Sequence, residues 1–166
     1  MVMIMIDDTS VRTVVVKVLF ENKIFFSTVL SLIVAQTLKA VLYIIQNRHK
    51  KMQEIIEILT WRTGGMPSSH AAVVGSLVTS VIFVEGITSN LFAFSFWFAL
   101  VVLRDAMGVR RSAGLMAKAL NDLGKQASEK TGLDFRLVKE IQGHTPLEVV
   151  VGSLLGVSIA VGLSLF

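Results

Sequence analysis

The feature that most constrains this chain is a pair of apolar runs, each long enough to cross a bilayer. One extends from about Ile24 to Gln46, the other from about Leu147 to Phe166. A spanning helix needs roughly 17–25 mostly apolar residues, because hydrocarbon offers the backbone no hydrogen-bond partner outside the helix. Two further runs, Ala71–Ile87 and Leu91–Leu103 (continuing to Val109 if Arg104 and Asp105 sit at the boundary), are shorter. A tight turn over Gly86–Asn90 joins them, so they read as a helical hairpin. The expected fold is an all-α integral membrane helical bundle. It has about four transmembrane helices, near 24–46, 71–87, 91–109 and 147–166, plus short cytoplasmic helices, in one domain over residues 1–166.

Composition agrees. The hydrophobic fraction is 53% and the charged fraction 17%, against about 25% charged in an ordinary soluble domain. That excludes a disordered chain and a coiled coil. The absence of cysteine excludes a disulfide scaffold, a thiolate metal site and a cysteine nucleophile. No stretch reads as a cleaved signal peptide: Met1–Ile6 is too short, and Asp7 and Asp8 follow it. Val11–Phe20 has the pattern of a short amphipathic or interfacial helix.

Positive charge is distributed unevenly. Of 16 Lys and Arg residues, only Arg12, Lys17 and Lys23 fall on the side of the termini, and Lys39 lies within the first span. The other twelve lie in the two segments Asn47–Ser69 and Arg104–Gly143, counted along the sequence. Lys and Arg accumulate in cytoplasmic loops. The loops are therefore expected in the cytoplasm and both termini on the non-cytoplasmic side of the cell membrane. A net charge of +4 would also suit nucleic acid, but the hydropathy assigns these charges to topology and membrane lipid headgroups instead. Within the second loop, Ser112–Leu123 has helical spacing, with Leu115, Ala119 and Leu123 as one stripe. Phe135, Val138 and Ile141 suggest another short helix before Gly143, and Gly64–Gly65 and Gly124 read as isolated turn signals.

Three clusters can carry chemistry. In Gly64-Gly65-Met66-Pro67-Ser68-Ser69-His70, glycines and a proline precede a helix start. Free N–H groups and the positive dipole end there suit an anion, although a serine-capped helix with a solvated histidine reads equally well. In Gly143-His144-Thr145-Pro146-Leu147-Glu148, Thr145 and Glu148 form a capping box around Pro146. Glu148 also follows His144 by four residues and can orient its imidazole, provided one rotamer serves one partner at a time. Both histidines begin spans from the same side, so packed helices would bring them together at one depth. The third cluster runs from Arg104 to Gly114. Arg110 and Arg111 point about 100° apart on a helix, so at most one faces a site, and Asp105 is expected to pair with an arginine. Lys39, with Gln36 three residues earlier, either faces a polar interior or snorkels to the interface. His49, in a basic run, reads as exposed. Gly152 and Gly156 form a small-xxx-small pair that packs within the chain or offers a homodimer face.

Taken together, Gly-Gly-Met-Pro-Ser-Ser-His-Ala-Ala at 64–72, Asp-Ala-Met-Gly-Val-Arg-Arg-Ser-Ala-Gly at 105–114, Leu120-Asn121 and Gly-His-Thr-Pro-Leu-Glu-Val at 143–149 resemble the divergent branch of the type 2 phosphatidic acid phosphatase superfamily, relatives of acid phosphatases and vanadium-dependent haloperoxidases. The resemblance covers Gln36 to Gly156. It implies a metal-independent lipid- or isoprenoid-phosphate phosphatase with no cofactor. His144 then matches the nucleophile that forms a phosphohistidine, Glu148 the carboxylate that orients it, and His70 the general acid. Ser68 and the amides of Ser69 and His70 match the phosphate cradle, with Ser69 in place of the usual glycine. Lys39 stands for the first-motif lysine, although Arg62 is distant and is followed by Thr63 instead of proline. Asn121 is a candidate orienting residue. The third motif departs most: Val138 stands where its arginine would fall, and Arg110 or Arg111 is the candidate replacement. Two other readings stay open, a lipid-phosphate binding or transport protein without turnover and a membrane scaffold.

Overall fold

The computed structural model describes Lys17 and residues 21–46, 65–140 and 143–165. Five helices occur among these residues: α1 (Lys23–Gln46), α2 (Ser69–Glu85), α3 (Asn90–Met107), α4 (Val109–Thr131) and α5 (Pro146–Ser164). The runs Lys23–Gln46, Asn90–Thr131 and Pro146–Ser164 are long and apolar enough to cross a membrane, and α2, with 17 residues, is a shorter apolar helix. The chain is an all-helical membrane bundle, as its hydropathy requires. Val11–Phe20 apart from Lys17, and His49, Arg62, Gly64 and Ile141, lie outside the described residues.

Capping sets the helix limits. Ser68 accepts from the Ala71 amide at the start of α2, and Ser89 from the Phe92 amide at the start of α3. Gly86, at φ 87°, ends α2 in a conformation that side chains resist, which closes the expected hairpin turn. Gly108 interrupts the helical run between α3 and α4.

The helices meet through small residues. The buried positions of α1 are Ser27, Ser31, Ala35, Lys39 and Ala40, and those of α5 are Val149, Gly152, Gly156 and Ala160. Phe94, Trp97 and Val101 are exposed. Lipid tails are as apolar as leucine, so membrane helices associate by close backbone approach and leave large side chains for lipid. α2 is central and packs on α1, α3 and α5. Ser27 Oγ and Ser80 Oγ share a buried hydrogen bond of 2.5 Å across α1 and α2, which run antiparallel. Between α2 and α5, which run parallel, a Cβ at Gly152 would strike the Ser68 carbonyl and one at Gly156 the Ala72 carbonyl. The small-xxx-small pair thus packs within the chain.

Two expectations for the 104–143 segment are corrected. The helix expected over 112–123 extends over Val109–Thr131, and residues 132–140 are not helical. Gly132, at φ 72°, caps α4 in the left-handed conformation, and the chain then turns back along it. The ring of Phe135 lies against Gly124, which is therefore a packing glycine inside a helix and no turn. The buried Asn121 carboxamide takes both backbone groups of Val138: its Oδ1 accepts from the amide at 2.8 Å and its Nδ2 donates to the carbonyl at 2.9 Å. Nδ2 also donates to Glu140 Oε1 at 2.9 Å. A side chain that satisfies a backbone amide and carbonyl substitutes for helical bonds. Three apolar residues at helical spacing do not outweigh it.

Candidate active site

Three segments converge at one end of the bundle. The parallel packing of α2 and α5 places their N-termini side by side, where the Ser68 amide donates to the Glu148 carbonyl at 3.1 Å. The return segment then delivers His144. Gly143 fits against the backbone of Arg111, leaving no room for a Cβ, and the His144 amide donates to the Ala106 carbonyl at 3.1 Å. The imidazoles of His70 and His144 consequently lie with centroids 6.4 Å apart and planes at 63°.

His144 is 3% exposed. Its Nδ1 is 2.9 Å from Glu148 Oε2, and the same oxygen accepts from the Thr145 amide at 3.2 Å. Thr145 Oγ1 in turn accepts from the Glu148 amide at 3.4 Å. The capping box and the histidine contact therefore coexist through one carboxylate oxygen, where alternative rotamers were expected. A carboxylate at Nδ1 selects the tautomer with the proton there and leaves the Nε2 lone pair available. Burial holds the His144 imidazole below its ordinary protonation range. The hydrogen bond and charge of Glu148 oppose that shift, and the nearby charges of Lys39 and Arg110 add to it. A neutral imidazole is the form that can act as a nucleophile.

Lys39 is 6% exposed and does not snorkel. Its side chain passes Gly65, where a Cβ would come within 3.2 Å of Cε, and its charge reaches both imidazoles. Arg110 also acts on both, and its Nε is held 2.6 Å from Asp105 Oδ2. Arg111 is exposed and contributes its backbone beneath Gly143. Arg110 is thus the arginine of the pair whose charge acts on the histidines, and Asp105 is paired as expected. Ser68 is fully buried, with its amide on Glu148 and its hydroxyl capping α2. The amides of Ser69 and His70 open α2 and have no intrahelical acceptor. The hydrogen bonds of Asn121 go to Val138 and Glu140 of the return segment, through which it acts on the placement of His144. Sequence reasoning missed the Ala106 carbonyl and the Ser68–Glu148 backbone bond, because backbone partners leave no residue-type signal.

An apolar cleft between α1, α2 and α3 begins at Ser69 and His70. Lys39, Arg110 and free helix amides at its end suit a tetrahedral oxyanion, and the paired imidazoles suit transfer of its phosphoryl group.

A membrane-embedded helical bundle with two imidazoles at adjoining helix starts is the class these features define. The Divergent PAP2 family model matches residues 20–159, and the chain belongs to that family. A Bacillus subtilis (strain 168) protein described as an uncharacterized membrane protein, YuiD, is 35% identical over 161 residues, which cover 89% of this chain and 98% of the relative. No solved structure matches the chain.

Proposed function

We propose that this protein is an integral membrane phosphomonoesterase for lipid or isoprenoid phosphates, working through a phosphohistidine without a metal ion. The observation that carries this reading is the His70–His144 pair, with His144 held at Nδ1 by Glu148. His144 Nε2 attacks phosphorus in line with the ester oxygen. The N–P bond forms as the P–O bond to the alcohol breaks, and protonated His70 gives its proton to the departing oxygen. The dianionic substrate beside His70 favours that protonated form. Water then attacks the phosphohistidine, neutral His70 takes its proton, and inorganic phosphate leaves with Nε2 restored. Lys39, Arg110 and the first amides of α2 face the charge that builds on the equatorial oxygens. The excess of Lys and Arg in the two loops supports a cytoplasmic orientation of this end of the bundle, with the termini on the other side.

The competing reading, a protein that binds or moves lipid phosphates without turnover, draws on one observation. Val138, at the third-motif arginine position, is tied by its backbone to Asn121. The scaffold reading loses the glycine pair as its support, since α2 covers it. Purified protein in metal-free buffer should release phosphate from a lipid phosphomonoester, His144→Ala should abolish release, and vanadate should inhibit it. Binding with no release by the wild-type protein favours the competitor.

A further inference from the structure

The cleft that begins at His70 has a volume of about 740 Å³. Leu32, Ile33, Val73 and Phe98 give it apolar walls. Gln36 also lines it, and the Gln36 Oε1 atom is buried with no hydrogen-bond donor. Thr37 beside it has its hydroxyl proton committed to the Ile33 carbonyl at 2.8 Å. A buried acceptor without a donor is costly, and hydrocarbon tails supply none.

The position of Gln36 defines what would satisfy it. Gln36 and Lys39 share a face of α1, about 4.5 Å apart along the axis. Lys39 reaches Gly65, ahead of α2, whereas Ser27 meets Ser80 far along it. The antiparallel register therefore sets Gln36 one turn deeper than Lys39, level with the first turn of α2. With phosphorus held near Lys39 and the imidazoles, that offset of about 4.5 Å, some three bonds along the ester, makes the carbon next to the ester carbon of the alcohol the one that Oε1 would meet.

We propose that Gln36 is a specificity-determining residue: it accepts a hydrogen bond from a hydroxyl or amide N–H on that carbon. The site then selects single-chain phosphates of glycerol-like or sphingoid-like alcohols over plain alkyl or prenyl phosphates. The proposal rests on the phosphatase reading for its chemistry, while the selection itself is a binding property. A site built to hydrogen-bond a substrate hydroxyl disfavours the analogue lacking it, because the buried partner is left unpaired.

The test uses the full chain in detergent with a single-chain alkyl phosphate, the same chain bearing a hydroxyl next to the ester carbon, a diacylglycerol phosphate, and the phosphonates of the first two as competitors. The wild-type protein should prefer the hydroxylated ester by roughly tenfold in kcat/KM. Gln36→Leu should bring the ratio to about one, with Gln36→Met as the substitute if the leucine variant does not fold. Thr37→Val should retain the preference. Turnover of both esters with a ratio that Gln36→Leu leaves unchanged overturns the role of Gln36 and leaves the phosphatase reading standing. No turnover, but tighter binding of the hydroxylated phosphonate that Gln36→Leu erases, overturns the phosphatase reading and supports Gln36. A loss confined to a diacyl ester means the amide presents its N–H₂ to a carbonyl, and it overturns selection for a donor.

Discussion

The ring centroids of His70 and His144 stand 6.4 Å apart, although nearly all of α2, the whole of α3 and α4, and the return segment lie between them in sequence. Their approach depends on two parallel helices with glycine between them and on a non-helical segment that returns along α4. Disturbing either route should disturb the site, and the two effects are separable.

Glu148 should act through His144. Glu148→Gln removes the carboxylate charge while keeping a side-chain acceptor near Thr145. Phosphate release should fall about 10²–10⁴-fold, with thermal stability changed far less. A fall in stability matching the fall in activity would reduce Glu148 to its capping role.

The same residue sets a pH dependence. Burial lowers the His144 protonation range below the ordinary value of about 6.5, and Glu148 resists the shift. The acid limb of the activity profile, where His144 gains its proton, should therefore lie below that value. Glu148→Gln should move the His144 titration, followed by NMR, to still lower pH. Linkage gives the same sign for stability: the unfolded chain binds the proton first, so the contribution of His144 weakens as pH drops from about 6.5 through the folded value. A titration moving upward in Glu148→Gln contradicts the geometry.

Arg110 and Arg111 should separate in vanadate or phosphate binding. Arg110→Ala removes a charge that acts on both imidazoles and should weaken binding about 10-fold or more. Arg111→Ala should change it little. Equal losses measured by competition would mean that general positive potential, and no particular guanidinium, attracts the anion.

Gly156 and Gly162 occupy the same helix with opposite expectations. A Cβ at Gly156 would strike the Ala72 carbonyl, so Gly156→Val should destabilise the bundle by about 1–3 kcal/mol or more. Nothing lies within 4 Å of a Cβ at Gly162, so Gly162→Ala should be neutral or slightly stabilising. Thermal unfolding in detergent compares the two directly.

Asn121→Ala should release the return segment. It removes the partners of the Val138 amide and carbonyl, at a cost of about 1–3 kcal/mol. Proteolysis of residues 132–140 should accelerate and activity should fall, since the segment leads to His144. Intact activity alongside accelerated cleavage would show that the Ala106 and Arg111 contacts alone place the histidine.

Much of the bundle and the motif chemistry was legible in the chain itself. Apolar length marks the membrane helices because hydrocarbon forbids unpaired backbone, and Ser68, Ser89, Thr145 and Glu148 mark helix starts through local hydrogen bonds. Each of these signals acts within a few residues. The return of 132–140 and the packing role of Gly124 are not legible locally, because the partners that decide them, Asn121 and Phe135, are distant in sequence. Tertiary structure alone decided that one Glu148 oxygen serves both Thr145 and His144, that the charge of Arg110 rather than Arg111 acts on the imidazoles, and that Lys39 is enclosed beside Gly65. The physical reason is the same in each case: covalent neighbours set local conformation and hydropathy, whereas a charge or a lone pair acquires its partner only when separate helices meet.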